Sequence, residues 1–235
     1  MNRSEITIFC ICISALCLSF SCIKKKGRSA VKERVTKEIT ESSSDLIELP
    51  KSEEDTLIID SHYTFAEAIE GTKAPQHIIE ALRLLNVQYV STDGKLHEGQ
   101  ILVNKRIASD IQEIFERMLE IGFVVEKAIP IVKYNWNDDL SMYANNTHSF
   151  CYRKVEHSSS LSKHAYGMAI DINPRFNPIR WKKVNRPNQP AGAILDTTIN
   201  GTFYPGHPIV EEFLSRGFRW GHHFSRYYDD HHFDK

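Results

Sequence analysis

Ser162-Lys163-His164-Ala165-Tyr166-Gly167-Met168-Ala169-Ile170-Asp171-Ile172-Asn173-Pro174 is the stretch around which the chain is organised. From Met168 to Asn173 the residues alternate, with Met168, Ile170 and Ile172 on one side and Ala169, Asp171 and Asn173 on the other. Period two marks a half-buried strand, because successive side chains leave a pleated backbone on opposite faces. The apolar side is expected on the core, which puts Asp171 on the opposite, open face. Gly167 supplies a bend just before the strand. That bend can bring the His164 imidazole and the Asp171 carboxylate to one point, and both groups are good zinc ligands. Two ligands do not make a site. The last segment, Asp229-Asp230-His231-His232-Phe233, is the obvious source of a third.

The rest of the chain provides enough material for one core: 235 residues, 41% hydrophobic, with a formal net charge of -1. Without a basic excess, nothing in the charge balance points to nucleic acid. Cys10, Cys12, Cys17 and Cys22 lie in an N-terminal apolar segment, and only Cys151 stands in the body. No internal disulfide is therefore possible after processing, and Cys151 reads as a small buried apolar residue. Arg3, the apolar run Ile6 to Phe20, and Ser21-Cys22 describe an export signal over residues 1–22. The run is short of the roughly 20 residues a membrane span needs. Leu18-Ser19-Phe20-Ser21-Cys22 resembles a bacterial lipoprotein signal, which implies that Cys22 carries lipid and anchors the protein to a membrane. Plain secretion and an uncleaved anchor are the alternatives, and each places the body outside the cytoplasm. Residues 23–56 read as a charged, serine-bearing linker too poor in aromatics to fold alone. The folded domain is expected over residues 57–235.

Within that domain Thr64-Phe65-Ala66-Glu67 predicts a capping box on a short helix that Gly71 ends. Pro75 starts a second helix whose apolar side is Ile78, Ile79, Leu82 and Leu85, followed by a strand from Val87 to Ser91. Asp93-Gly94 predicts a hairpin turn, with Leu96 to Val103 returning. Asn104 is the expected cap of the strongest helix, marked by Ile107, Ile111, Ile114, Phe115 and Met118 and closed by Gly122. Phe123 to Val132 reads as a strand, and Tyr134 to Phe150 as a polar loop with one helical turn. Arg175 to Gly206 reads as an irregular excursion with a hairpin at Asn200-Gly201. A last helix over Ile209, Phe213 and Leu214, capped by Gly217, precedes closing strands at Phe218 to Trp220 and His231 to Phe233. The sum is an α+β fold, a small antiparallel sheet flanked by helices.

A catalytic zinc site uses three protein ligands and keeps one position open. His164, Asp171 and one of the terminal histidines would supply them. In a strand His231 and His232 face opposite sides, so only one can join. Asp229, three residues before His232, can serve as a general base if the segment turns between them. The plain alternative is that these groups decorate a polar tail.

Asn145 to Arg153, Ser162 to Pro174, and Trp220-Gly221 through Phe233 together resemble the zinc D-alanyl-D-alanine carboxypeptidases. More narrowly they are similar to the VanY-type and L-alanyl-D-glutamate endopeptidase-like branch, enzymes that cut peptide stems of bacterial cell wall. The resemblance spans roughly residues 60–235 and implies a hedgehog/D-Ala-D-Ala-peptidase-like fold. It implies His164, Asp171 and His232 as zinc ligands and Asp229 as the general base. It also implies that Arg153 binds substrate and polarises the scissile carbonyl, and that Ser162 contacts substrate or supports the site. The plain readings are a surface ion pair for Arg153 and a turn or cap for Ser162. After Trp220-Gly221 this chain has His222-His223-Phe224 where relatives often have Gly-Asp-Trp, so one wall of the pocket differs. His222, His223 and His231 are support groups, spare ligands or surface residues, surface being the default. The implied protein is a monomeric, envelope-located zinc metallopeptidase acting on peptidoglycan stem peptides. Two alternatives stand beside it: a wall-binding lipoprotein that keeps zinc without catalysis, and a structural zinc site closed by four protein ligands.

Overall fold

The long hairpin after residue 80 sets the frame of the fold. In a computed structural model that describes residues 57–156 and 158–235, strands β2 (Leu82–Val90) and β3 (Leu96–Asn104) pair antiparallel from Leu82↔Asn104 to Val90↔Leu96. The export signal and linker lie outside the described residues. Among the described residues no helix is long and apolar enough to cross a membrane. Asp93-Gly94 makes the expected turn, with Asp93 Oδ1 accepting from Lys95 N at 2.9 Å. A short β1 (Ile58–Ile59) adds in parallel to β3.

Thr64 and Glu67 form the predicted reciprocal capping box on α1 (Phe65–Ala68). The second helix, α2, is a single turn (Gln76–Ile79) behind Pro75, and does not run on to Leu85. Residues 78–85 satisfy both helical and strand periods, an ambiguity common in short apolar runs. The strand period wins because it continues: Leu85, Val87 and Tyr89 are buried while Asn86 and Gln88 are exposed, and β3 offers a partner along the whole length.

Helix α3 (Ala108–Glu120) buries Ile111, Ile114, Phe115 and Met118 in one cluster with Val87, Ile170, Phe213 and Phe233. Each such side chain contributes about 1.5–3 kcal/mol relative to exposure. Its N-cap position is Ile107, not Asn104. Asn104 is the last residue of β3; its Oδ1 accepts from Arg106 N at 3.0 Å and its Nδ2 donates to Tyr166 O at 2.9 Å. It links the strand end to the segment carrying His164.

Phe123 to Val132 is not a continuous strand. It touches neighbouring backbone at single bridges, Val90↔Val124 and Ala128↔Thr147, and Pro130 then leads into a 3-10 helix (Ile131–Tyr134). Side chains satisfy its buried amides instead: Glu126 N donates to Asn173 Oδ1 at 2.9 Å and Ile129 N to Asn146 Oδ1 at 3.0 Å. The helical turn expected in the next loop is α4 (Asp138–Tyr143), capped by Asn137.

Strand β4 (Ala169–Asp171) is the core of the alternating stretch. It pairs antiparallel with β8 (His232–Asp234), which also pairs with β6 (Arg219–Trp220). A separate pair joins β5 (Ile179–Trp181) to β7 (Tyr227–Asp229). No hairpin forms at Asn200-Gly201. There Asn200 braces the chain after α3, accepting from Val124 N at 3.2 Å and donating to Gly122 O at 2.8 Å. Helix α5 (Pro208–Ser215) precedes β6 as expected. The class is α+β, with the strands spread over three small sheets.

Candidate metal centre

Ser162 opens a 3-10 helix (Lys163–Tyr166), its Oγ accepting from His164 N at 3.2 Å. That is the cap role. Gly167 ends the turn at φ 63°, where a Cβ would lie 2.7 Å from Asn104 N; both the angle and the clearance require glycine. His164 Nδ1–H donates to Ser149 O at 2.6 Å. This fixes the ring orientation and leaves the Nε2 lone pair free.

Asp171 and His232 are direct partners in the β4–β8 ladder, so their side chains leave the same face. Met168, Ile170 and Ile172 enter the core as predicted. The face of Asp171 is not open, however; the residue is 2% exposed. His148 covers its backbone by exchanging two hydrogen bonds, His148 N to Asp171 O at 3.1 Å and Asp171 N to His148 O at 2.9 Å.

Three donor atoms converge on this buried face. His164 Nε2 lies 3.2 Å from Asp171 Oδ2 and 3.1 Å from His232 Nδ1, and His232 Nδ1 lies 2.9 Å from Asp171 Oδ1. A tetrahedral zinc with bonds of about 2.0–2.1 Å has ligand–ligand edges of about 3.3 Å. The contacts are close to that spacing, with the two histidines facing different oxygens of the one Asp171 carboxylate. Lone pairs this close repel unless a cation or proton stands between them, and a buried carboxylate needs the same compensation. The donor set therefore fits a small divalent cation. His148 is a rival third donor, since His148, His164 and Asp171 offer ligand atoms within 4.8 Å of one another. The His148 nitrogens also face Asp138 Oδ1 at 3.1 Å and Ser141 Oγ at 3.3 Å.

The electrostatics follow from burial and pairing. Burial works to raise the Asp171 carboxyl, but His164 and His231 overcome it and hold it well below the usual range. Burial depresses His164 more than Asp171 lifts it, so it stays neutral, as a ligand must. His232 is raised, its burial outweighed by Asp171. His231 is pushed up to about 10: burial opposes the charge, and Asp229 and Asp171 more than offset it.

Strand β7 ends at Asp229 and β8 begins at His232, so the chain does turn between them. Gly221 makes room, for a Cβ there would sit 2.6 Å from Asp229 O and 3.2 Å from His232 Cβ. Asp229 Oδ1 lies 3.0 Å from His231 Nε2, a contact too bent to be a hydrogen bond, which leaves Oδ1 buried without an aligned partner. The expectation that His231 points away from the site fails. It occupies the turn, where strand parity does not apply, and its Nε2 is 4.0 Å from Asp171 Oδ1 while Nδ1–H donates to Asn177 O at 2.7 Å. The surface default also fails for His222, which stacks on Trp220 and donates to Asp230 Oδ1 at 2.6 Å. It holds for His223. Asp230 is buried and committed to His222 and to Arg180 Nε, 2.8 Å away.

Arg153 is ion-paired but not on the open surface. Its side chain is 33% exposed, Nη2 lies 2.7 Å from Asp138 Oδ2, and Nε is buried without a hydrogen-bond partner. Cys151 is buried and free, its thiol pushed up to about 12 by burial. Asp138 and His148 are the neighbours that sequence reasoning missed. The pairing of Asp138 with His148 and Arg153 has no local spacing signal, because it depends on how the loop after α4 folds back.

Residues 156–235 match a family model described as D-alanyl-D-alanine carboxypeptidase. The matched segment is about a third of the chain; it holds His164, Asp171, Asp229 and His232 and stops short of Arg153. No curated protein and no solved structure gives a significant match. Over this segment the chain is similar to a peptidase.

Proposed function

We propose that the protein is a zinc peptidase that hydrolyses stem peptides of bacterial peptidoglycan, as a D,D-carboxypeptidase or an L-Ala-D-Glu-type endopeptidase of the VanY-like branch. The observation that carries this reading is the approach of His164 Nε2, His232 Nδ1 and the two Asp171 oxygens to within 2.9 to 3.2 Å, inside the segment that is similar to a carboxypeptidase. His164, Asp171 and His232 would hold the metal. Zinc supplies Lewis acidity and makes water nucleophilic near neutral pH. Asp229, with Oδ1 buried and unaligned to any donor, takes the proton of the attacking water and returns it to the leaving amine. Arg153, a third exposed at its side chain, stabilises the scissile carbonyl oxygen as it gains charge when the bond breaks. Ser162 and Ser149 act from behind, holding the His164 backbone and ring. The lipid-bearing Cys22 would keep this domain in the cell envelope.

One observation favours a second reading, a catalytically inactive zinc-bearing wall-binding lipoprotein. His231 as an imidazolium lies 3.0 Å from Asp229 and competes for the carboxylate that must accept a proton. Turnover separates the two. Chelation should abolish release of D-alanine or of new peptide termini from stem peptide, and stoichiometric zinc should restore it. Zinc binding and wall binding without any cleavage would leave the second reading in place.

A further inference from the structure

We propose that Asp138 is the positioning residue of this site, clamping the Arg153 guanidinium to the wall that carries the metal-binding side chains. Asp138 is the first residue of α4, and its two oxygens are divided. Oδ2 takes Arg153 Nη2 at 2.7 Å, and Oδ1 faces His148 Nε2 at 3.1 Å. His148 is itself fixed to the candidate ligands: its backbone exchanges both hydrogen bonds with Asp171, and its ring stacks on His164 with centroids 5.6 Å apart and planes 24° from parallel. Its other nitrogen lies 3.3 Å from Ser141 Oγ, which accepts from Asn146 Nδ2 at 3.0 Å. One carboxylate thus stands at ion-pair distance from the arginine on one oxygen and close to His148 on the other, the latter contact without an aligned hydrogen bond.

The consequence lies in what remains of the guanidinium. Arg is a long side chain carrying about 2 kcal/mol of rotamer entropy. Pairing one Nη with a half-buried carboxylate restricts that freedom before substrate arrives, and leaves Nε buried and unpartnered. Burial tends to raise the Asp138 carboxyl, but His148 and Arg153 bring it to about 2, so it is ionised across any working pH. The role given to Arg153 rests on the peptidase reading; the clamp itself rests on geometry alone.

The test uses the zinc-loaded full chain with Asp138→Asn, Asp138→Glu, Arg153→Ala and the double variant Asp138→Asn/Arg153→Ala, assayed for kcat and KM on a stem peptide. Asp138→Asn should lower kcat/KM about tenfold to a hundredfold, the usual cost of misplacing a catalytic group by about 1 Å. Zinc content should be unchanged, and Asp138→Glu should recover part of the loss. In the Arg153→Ala background the same change should cost nothing further. Losses that multiply in the double variant, or an Asp138→Asn enzyme within twofold of the parent, overturn the proposal. If Asp138→Asn does not fold, Asp138→Glu alone in both backgrounds decides by the same rule. A second arm needs no turnover: ¹⁵N-arginine NMR of the parent should show one slowly rotating guanidinium that is absent from Arg153→Ala and rotates freely in Asp138→Asn. A parent without any turnover contradicts the peptidase reading, and the NMR arm then still decides the clamp, persistence of slow rotation in Asp138→Asn overturning it.

Discussion

Nε2 of His164 and Nδ1 of His232 lie 3.1 Å apart although 68 residues separate them in the chain. The approach is produced by backbone, since β8 pairs with β4 in a register that sets His232 opposite Asp171. The site is therefore built by the last strand to be made, and neither histidine has the geometry without the other.

Removing either histidine should remove the metal. Metal analysis of His164→Ala and His232→Ala after zinc loading should give well under one equivalent, against one for the parent. His148→Ala should keep zinc. Full occupancy in both of the first two variants would mean that the metal is held elsewhere.

Asp229 and Asp230 should separate by mutation although they are adjacent. Asp229→Asn keeps zinc and fold and loses turnover by about 10²–10⁴-fold, the range for a general base. Asp230→Asn acts on stability, because it removes one partner of the buried pairs with Arg180 and His222. Breaking a fully buried pair costs about 3–5 kcal/mol, and the part-exposure of Arg180 and His222 puts this one below that range. Its melting temperature should fall steeply while the folded fraction still turns over. Near-parent activity in Asp229→Asn would refute its role as base.

Period two was legible from Met168 to Asn173 because both faces are used: the apolar residues reach the core, Asp171 faces the site and Asn173 braces neighbouring backbone. The Asp93-Gly94 turn and the Thr64 capping box were legible because they are local hydrogen-bonding devices. Leu82 and Leu85 were misread because their apolar run fits two periods and only the pairing with β3 decides. His231 was misread because strand parity was applied to a residue in a turn. Asp138 and His148 were invisible as partners because nothing in a ten-residue separation predicts that one covers the other.

His231 gives a pH dependence with a definite sign. Its folded value, about 10, lies above its ordinary 6.5, so its stabilising contribution is complete below about pH 6.5 and is lost as pH rises through 10. In the metal-free protein the melting temperature of the parent should exceed that of His231→Gln most near pH 6, and the gap should close towards pH 10. Long-range ¹H–¹⁵N spectra at pH 8 should show both ring nitrogens protonated. A neutral ring at that pH would contradict the pairing with Asp229.

Gly221→Ala should damage the site without unfolding the core. Its Cβ would meet Asp229 O at 2.6 Å and Asp229 Cβ at 2.8 Å, so the turn before β8 must move away. Weaker zinc affinity and lower turnover are expected, with the hairpin and α3 intact by amide exchange. Unchanged zinc affinity would show that the turn tolerates displacement.

The most direct measurement is digestion of purified bacterial peptidoglycan by the zinc-loaded parent and by Asp229→Asn, with the products read by mass spectrometry. The parent should generate one class of new ends, either stem peptides shortened by a terminal D-alanine or a new amino terminus within the stem, and the variant with equal zinc should generate none above background. A parent that carries one zinc, binds the wall and leaves every stem peptide intact would contradict the account.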